Sequence, residues 1–280
     1  CGKPHTAPAK VLDITAGSGT TVQAARLLGR MGIGFDISRE YLSDLAQKRV
    51  AQTANLYRKP EVPPVIQRRP LPENDAIIGD MAAVLPGLPR SSVDLLFIDP
   101  PFNLGKDYGG GVDDAQGEAR YWELLTFWLD LALPLIKPTG SLVLHHIPAW
   151  AFRAASYLEE RGLTFRRWVA WRALSGWTTR RDDFRPEHYA FVWFSRGEGC
   201  KVRKVLTPHP RCARCGEHST DWGGKEQFRD EAGQRMSDVW QLERAHHAGH
   251  KGRTSNELPV EAVLRWVLAL TDPGDYVIDP

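Results

Sequence analysis

The sequence is poor in cysteine, has no long apolar run, and carries nearly balanced charges. Four cysteines in 280 residues do not support a disulfide scaffold, and they favour a reducing, cytoplasmic compartment. No apolar run reaches the roughly 18 residues that a membrane-spanning helix needs. The formal net charge of +2 neither requires nor opposes a nucleic-acid partner. No signal-peptide pattern is found and the first residue is not Met, which leaves open that the chain is a fragment.

Strand-like and helix-like segments alternate through the first two thirds of the chain. This alternation indicates an α/β protein with a mostly parallel sheet covered by helices on both faces. After Ser195 the sequence becomes polar and rich in Gly, His and Arg. We therefore predict a catalytic core over residues 1–195, a loop-rich recognition insert over 196–256, and a C-terminal helix and strand returning to the core over 257–280.

A glycine-rich segment, DITAGSGTT, begins at Asp13 between a predicted strand and a predicted helix. Glycines let the backbone approach a ligand closely, and the start of the helix offers free N–H groups. The segment is neither a phosphate P-loop, which needs a lysine after the last glycine, nor a GxGxxG loop, because Val22 replaces the third glycine. Asp36 ends the next strand, where a carboxylate can bind ribose hydroxyls. These features predict a nucleoside cofactor at the carboxyl ends of the strands.

A third strand ends at Asp80, which is placed either to face an adenine ring or to cap the helix that follows. A fourth strand ends in Asp99-Pro100-Pro101-Phe102. The two prolines remove backbone donors and fix φ, so they form a rigid elbow with outward carbonyls. With a carboxylate and a flat ring beside them, these acceptors suit a planar base that carries an exocyclic amine.

The segments DITAGSGTT, IIGDM, DLLFIDPPFN and LPVEAVLRWVLALTDPGDYVIDP resemble the motifs of the DNA amino-methyltransferases. Members of this family methylate adenine N6 or cytosine N4 with S-adenosylmethionine. The resemblance implies a Rossmann-like methyltransferase fold with a mostly parallel seven-stranded sheet, and catalysis on a flipped base. An acid in the first position of the tetrapeptide favours adenine. Cytosine N4 methylation and an inactive DNA-binding remnant are the alternatives.

The resemblance also implies which residues bind the cofactor and the base. We expect the base to be held by Asp99, Pro100, Pro101 and Phe102. We expect the cofactor to be bound by Asp13, Ala16, Gly17, Gly19, Thr20, Asp36 and Asp80.

The order of the motifs departs from one common arrangement of the family, in which the glycine loop follows the C-terminal segment. Here the loop lies near the N-terminus, and two segments, KVLDI and YVIDP, are both candidates for the first strand. The second one is either the start of a truncated duplicate or the sign of an incomplete chain.

Arginines alternate with tryptophans between residues 166 and 196. Arginine suits phosphate and base-edge contacts, and aromatic rings can fill the space that a flipped base leaves. The resemblance thus implies DNA as the partner, in a bacterial, archaeal or phage-encoded enzyme, and leaves open a restriction endonuclease partner and a homodimer. The predicted DNA-binding residues are Arg166, Arg172, Arg180, Arg181 and Arg185.

One CxxC pair, Cys212 and Cys215, lies near His209 and His218. A tetrahedral zinc site needs four ligands, and only this pair has convincing spacing. A structural zinc site and a pair of free thiols therefore both remain open.

Overall fold

The structure is a computed structural model that describes residues 10–13, 20–27, 31–36, 43, 76–78, 80–105, 114–173, 185–212, 214–217, 223–243 and 258–280. Its helices are α1 (Thr20–Leu27), α2 (Met81–Val84), α3 (Glu118–Ala132), α4 (Pro148–Glu160) and α5 (Val260–Leu270). Its strands are β1 (Lys10–Asp13), β2 (Met31–Asp36), β3 (Ala76–Ile78), β4 (Val93–Ile98), β5 (Ile136–His146), β6 (Thr164–Ala173), β7 (His188–Ser195), β8 (Leu206–Thr207), β9 (Gln234–Arg235), β10 (Val239–Leu242) and β11 (Val277–Ile278).

One large sheet organises the described residues, with the strand order β10-β6-β7-β5-β4-β11-β1-β2-β3. Strand β7 runs antiparallel to both of its neighbours, and the other neighbouring pairs in this sheet are parallel. The predicted α/β class and the mostly parallel sheet are thus confirmed. The sheet has nine strands among the described residues rather than the predicted seven. Strand β10 has four residues, too few to show a periodic pattern in the sequence, whereas β11 lies in the predicted C-terminal strand.

Helices cover both faces of the sheet because alternate strand residues point to opposite sides. On β4, Leu96 and Ile98 pack in one buried cluster with residues of α3 and α4. Leu95 and Phe97 pack in a second cluster with residues of α1 and α5. The strand residues in both clusters are almost fully buried, which explains the continuous apolar run of β4.

Each long helix presents one apolar face to the sheet. In α3 the buried residues are Tyr121, Leu125, Leu129 and Ala132, at the three- and four-residue spacing that places side chains on one side of a helix. In α4 and α5 the buried residues include Trp150 and Trp266. None of the described helices has the length and the apolarity that crossing a membrane requires.

The segment YVIDP, the second candidate for the first strand, contains strand β11. Val277 and Ile278 pair with Val11 and Leu12 of β1 on one side and with β4 on the other. The two similar segments, KVLDI and YVIDP, are therefore neighbouring strands of the same sheet. Asp279, which directly follows β11, forms an isolated parallel bridge with Gly34 of β2.

The predicted insert, residues 196–256, contributes to two sheets. Strands β8 and β9 form a separate antiparallel pair. Strand β10 pairs in parallel with β6 and buries Trp240 against Trp266 of α5. The described part of the insert is therefore joined to the core through β10, while most of its other side chains are exposed.

Candidate active site

The carboxyl ends of the parallel strands meet at one edge of the sheet. Asp13 and Asp36 end β1 and β2, Asp99 directly follows β4, and His146 ends β5. Ligands of open α/β sheets bind outside this edge. The strand order thus places the predicted cofactor half, β1 to β3, and the predicted base-binding segment after β4 along the same side of the molecule.

The segment that follows the two prolines has a fixed conformation. Asn103 adopts a positive φ of 58°, a conformation that non-glycine residues rarely adopt without support. The Asn103 side chain donates to the carbonyl of Gln116 (2.8 Å) and accepts from its N–H (2.7 Å). The buried carboxylate of Asp114 accepts from the N–H groups of Asn103 (2.6 Å) and Leu104 (3.0 Å). These bonds hold the turn that carries Pro101 and Phe102.

Two consecutive histidines end β5 and, as strand neighbours, lie on opposite faces of the sheet. The Nδ1 atom of His145 lies 2.8 Å from Oδ1 of Asp99. His145 is 3% exposed and Asp99 is 24% exposed. The His145 ring stacks on Phe191 at 4.5 Å between ring centroids and contacts Trp171 and Tyr189. Asp99 therefore contacts the buried aromatic cluster through His145 and is itself partly exposed to solvent.

His146 and Tyr121 connect the other face to the proline elbow. The His146 Nδ1 atom accepts from the Ile147 N–H at 2.8 Å, which places the proton of the neutral ring on Nε2. That Nε2 atom lies 2.6 Å from the Tyr121 hydroxyl, which in turn donates to the carbonyl of Pro101. Burial, with a smaller contribution from His145, lowers the pKa of His146 well below its ordinary value. The neutral ring fits this chain of donors and acceptors.

Phe102 lies between the two histidines. Its ring stacks on His146 (4.9 Å, 28°) and meets His145 edge-on (5.1 Å, 71°). Only 6% of Phe102 is exposed, so the ring is part of the core. Its role as a stacking surface for a base stays a prediction. We call Asp99, Phe102, Tyr121, His145 and His146 the edge cluster.

The cofactor half is described in part. Thr20 and Thr21 begin α1 and are buried, and the Thr21 hydroxyl donates to Asp279 at 2.8 Å. Asp80 accepts from the Ala82 N–H at 2.8 Å and so caps α2. Gly32 lets α1 approach β2, because a Cβ there would lie 3.0 Å from Val22. The predicted residues Ala16, Gly17 and Gly19, and the side chains of Asp13 and Asp36, lie outside the described part.

The predicted DNA-binding arginines do not all lie near the edge cluster. Arg172 lies near the carboxyl end of β6 and pairs with Glu187 at 3.2 Å, and the exposed Arg185 also pairs with Glu187. Arg166 is six residues earlier on β6, about 20 Å away along the strand, with its guanidinium 5.7 Å from the Trp193 ring. Arg180 and Arg181 lie outside the described residues.

Cys212 and Cys215 lie in a tight turn, in which the Gly216 N–H donates to the Cys212 carbonyl at 2.8 Å. Hydrogen bonds from the backbone of Cys215 and of Arg214, and from the Cys215 side chain, lower the pKa of the Cys212 thiol. The described residues contain no group of three side chains suited to a metal ion, and His218 is not among them. A zinc site at this turn stays a prediction.

Sequence reasoning missed His145, His146, Tyr121 and Asp114. The sequence did contain a signal for the two histidines. They are consecutive ionisable residues at the end of an apolar strand, and that strand is the next one in the chain after the DPPF strand. No comparable signal marks Tyr121, whose position on α3 is also that of an ordinary core residue.

The sheet, its covering helices and the edge cluster define a Rossmann-like methyltransferase fold. A solved structure with this fold, the PvuII DNA methyltransferase (cytosine-N4-specific), superposes with a TM-score of 0.51 and 17% identity, over 71% of each chain. The family model for DNA methylases matches residues 9–48 and 93–280. The chain belongs to this DNA methylase family.

Two curated relatives show the extent of the likeness. The Type II methyltransferase M.BamHI of Bacillus amyloliquefaciens is 33% identical over 72% of this chain and 48% of its own length. The Type II methyltransferase M.HpaI of Haemophilus parainfluenzae is 26% identical over 73% of this chain and 62% of its own length. The chain thus spans about half of the first relative and about three fifths of the second.

Proposed function

We propose that this chain carries the catalytic region of an S-adenosylmethionine-dependent DNA methyltransferase that modifies the exocyclic amine of a base, with adenine N6 as the target. The observation that carries the proposal is Asp99, placed on a rigid proline elbow at the edge where the glycine-loop strand also ends. Membership in the DNA methylase family supports the reaction class.

An exocyclic amine is a weak nucleophile because its lone pair is delocalised into the ring. Acceptors that bind its N–H groups favour a tetrahedral nitrogen whose lone pair can react. Asp99 supplies one acceptor. Since Tyr121 already donates to the carbonyl of Pro101, the carbonyl of Pro100 is the second acceptor in this mechanism. Asp99 is partly exposed, so it can accept the proton that the methylated amine loses and pass it to water.

The described residues fit the cofactor. Strands β1 and β2 end side by side, and α1 begins at Thr20 and packs against β2 at Gly32. This arrangement offers helix N–H groups to a carboxylate, and we place the ribose hydroxyls at the end of β2, where Asp36 stands in the sequence. When bound, S-adenosylmethionine supplies a sulfonium methyl group; transfer forms the N–C bond and breaks the C–S bond, whose electron pair stays on sulfur. Orientation by the protein supplies most of the rate.

The test uses the purified chain, isotopically labelled S-adenosylmethionine and unmethylated mixed-sequence DNA, with nucleosides identified by mass spectrometry. We expect labelled N6-methyladenine, and a loss of roughly 10²- to 10⁴-fold in rate in Asp99→Ala. Asp130→Ala, which removes an acid that pairs with Arg161 on the helical surface, should keep the wild-type rate.

The two bases give different outcomes. Labelled N4-methylcytosine, lost in Asp99→Ala, would keep the reaction and replace adenine by cytosine. Absence of both methylated nucleosides would contradict the proposed activity of this chain, and absence of cofactor binding in calorimetry would favour the inactive DNA-binding alternative. A restriction endonuclease partner, a homodimer and a cytoplasmic location stay predictions.

A further inference from the structure

We infer that His145 is a positioning residue that orients the carboxylate of Asp99 toward the amine, an inference that rests on the proposed function. The two residues are 46 positions apart and meet because β4 and β5 are paired. Ile98 is aligned with Leu144, so the residues that follow, Asp99 and His145, lie side by side at the edge. The 2.8 Å contact between Nδ1 and Oδ1 is the result.

The surroundings of His145 determine which nitrogen donates. Its Nε2 atom is buried and has no hydrogen-bond partner among the described residues. Aromatic rings of Phe102, Trp171, Tyr189 and Phe191 lie around the imidazole, with centroid distances between 4.5 and 5.5 Å. A buried N–H without an acceptor costs more than a bare ring nitrogen among aromatic rings. The hydrogen is therefore on Nδ1, from which it is donated to Asp99.

The same packing holds the ring in one orientation. His145 stacks on Phe191 at 26° between planes and is 3% exposed, so its Nδ1–H points in a fixed direction. A carboxylate beside a chain turn can rotate about its terminal bond. A hydrogen bond from a fixed donor to one of its oxygens limits that rotation before substrate binds. Preorganisation of this kind lowers the activation barrier, so it raises kcat and leaves KM unchanged.

Replacement by asparagine and glutamine separates positioning from packing. The amide nitrogen of asparagine can take the place of Nδ1, whereas that of glutamine reaches the place of Nε2. We expect His145→Asn to retain most of the wild-type kcat, and His145→Gln and His145→Ala to lose about 10- to 100-fold. KM for DNA and for S-adenosylmethionine should stay unchanged in all three variants, and thermal unfolding reports whether each one folds.

A spectroscopic measurement tests the hydrogen bond without turnover. In the long-range ¹H–¹⁵N spectrum of the histidine-labelled chain, His145 should show the Nδ1–H tautomer, and Asp99→Asn should shift its signals. An Nε2–H tautomer would overturn the inference. So would equal kcat losses in folded His145→Asn and His145→Gln variants, and the proposed function would stand in both cases. A wild-type chain that methylates neither base would instead overturn the proposed function, whatever the spectrum shows.

Discussion

The edge cluster and the insert differ in how their polar groups are satisfied. In the edge cluster, His145 and His146 are almost fully buried, and they form hydrogen bonds with Asp99, Tyr121 and the backbone. In the insert, pairs such as Lys204 with Asp230 (2.8 Å) lie on the surface, with half of each side chain exposed. Buried polar groups depend on a single geometry, whereas exposed pairs are readily replaced by water. The polar groups of the candidate active site therefore depend on the packing of the core around them.

The largest expected difference concerns aromatic packing. Phe191 is fully buried and contacts His145, whereas Phe228 in the insert is 73% exposed. We expect Phe191→Ala to lower the free energy of unfolding by about 3–5 kcal/mol. Phe228→Ala should change it by no more than about 0.5 kcal/mol. Urea unfolding of the two variants measures both values, and similar losses would show that the insert is packed as tightly as the core.

An intermediate effect is expected from removing one hydroxyl. Tyr121→Phe leaves the Nε2 proton of His146 and the carbonyl of Pro101 without their partner, which should cost about 1–3 kcal/mol. The matched change Tyr157→Phe removes a more exposed hydroxyl that bonds to Asp130, and we expect a loss below about 1 kcal/mol. Unfolding curves compare the pair. Equal losses would contradict the special role of the buried chain of hydrogen bonds.

The smallest expected effect is the change in the free energy of unfolding per pH unit. The pKa of buried His146 is lowered on folding, so the unfolded state binds a proton more readily. His146 should therefore contribute its full stabilisation above its ordinary pKa of about 6.5. As the pH falls from there toward the lowered pKa, the loss should be at most about 1.4 kcal/mol per unit. Hydrogen bonds from arginines lower the pKa values of Asp130 and Asp272, so these acids stay ionised in this range.

Unfolding between pH 5.5 and 7.5 measures this dependence. His146→Asn should flatten it, whereas the matched change His209→Asn in the insert keeps His146 and therefore keeps the slope. A variant without His146 that is as pH-sensitive as the wild type would assign the effect to another group.

Much of the fold could be predicted from local patterns, because they reflect local physics. The apolar run of β4 and the glycines after β1 indicate a buried strand and a strand-to-helix turn in isolation. Strand β10 could not be predicted this way, since its four residues carry too little periodicity. The C-terminal strand, which forms β11, was predicted. Asp80 shows a different limit: its pattern fitted a helix cap and a cofactor contact equally, and the structure shows the cap.

The sequence by itself determined the α/β class, the DPPF segment at the end of an apolar strand, and the candidate cofactor loop before a helix. Only the tertiary structure decided which side chains meet Asp99 and the proline elbow. His145 reaches Asp99 through the pairing of β4 with β5, and Tyr121 reaches Pro101 from a helix 20 residues further on. Such contacts depend on register and on the packing of helices against the sheet. Both are fixed by the whole set of buried side chains together.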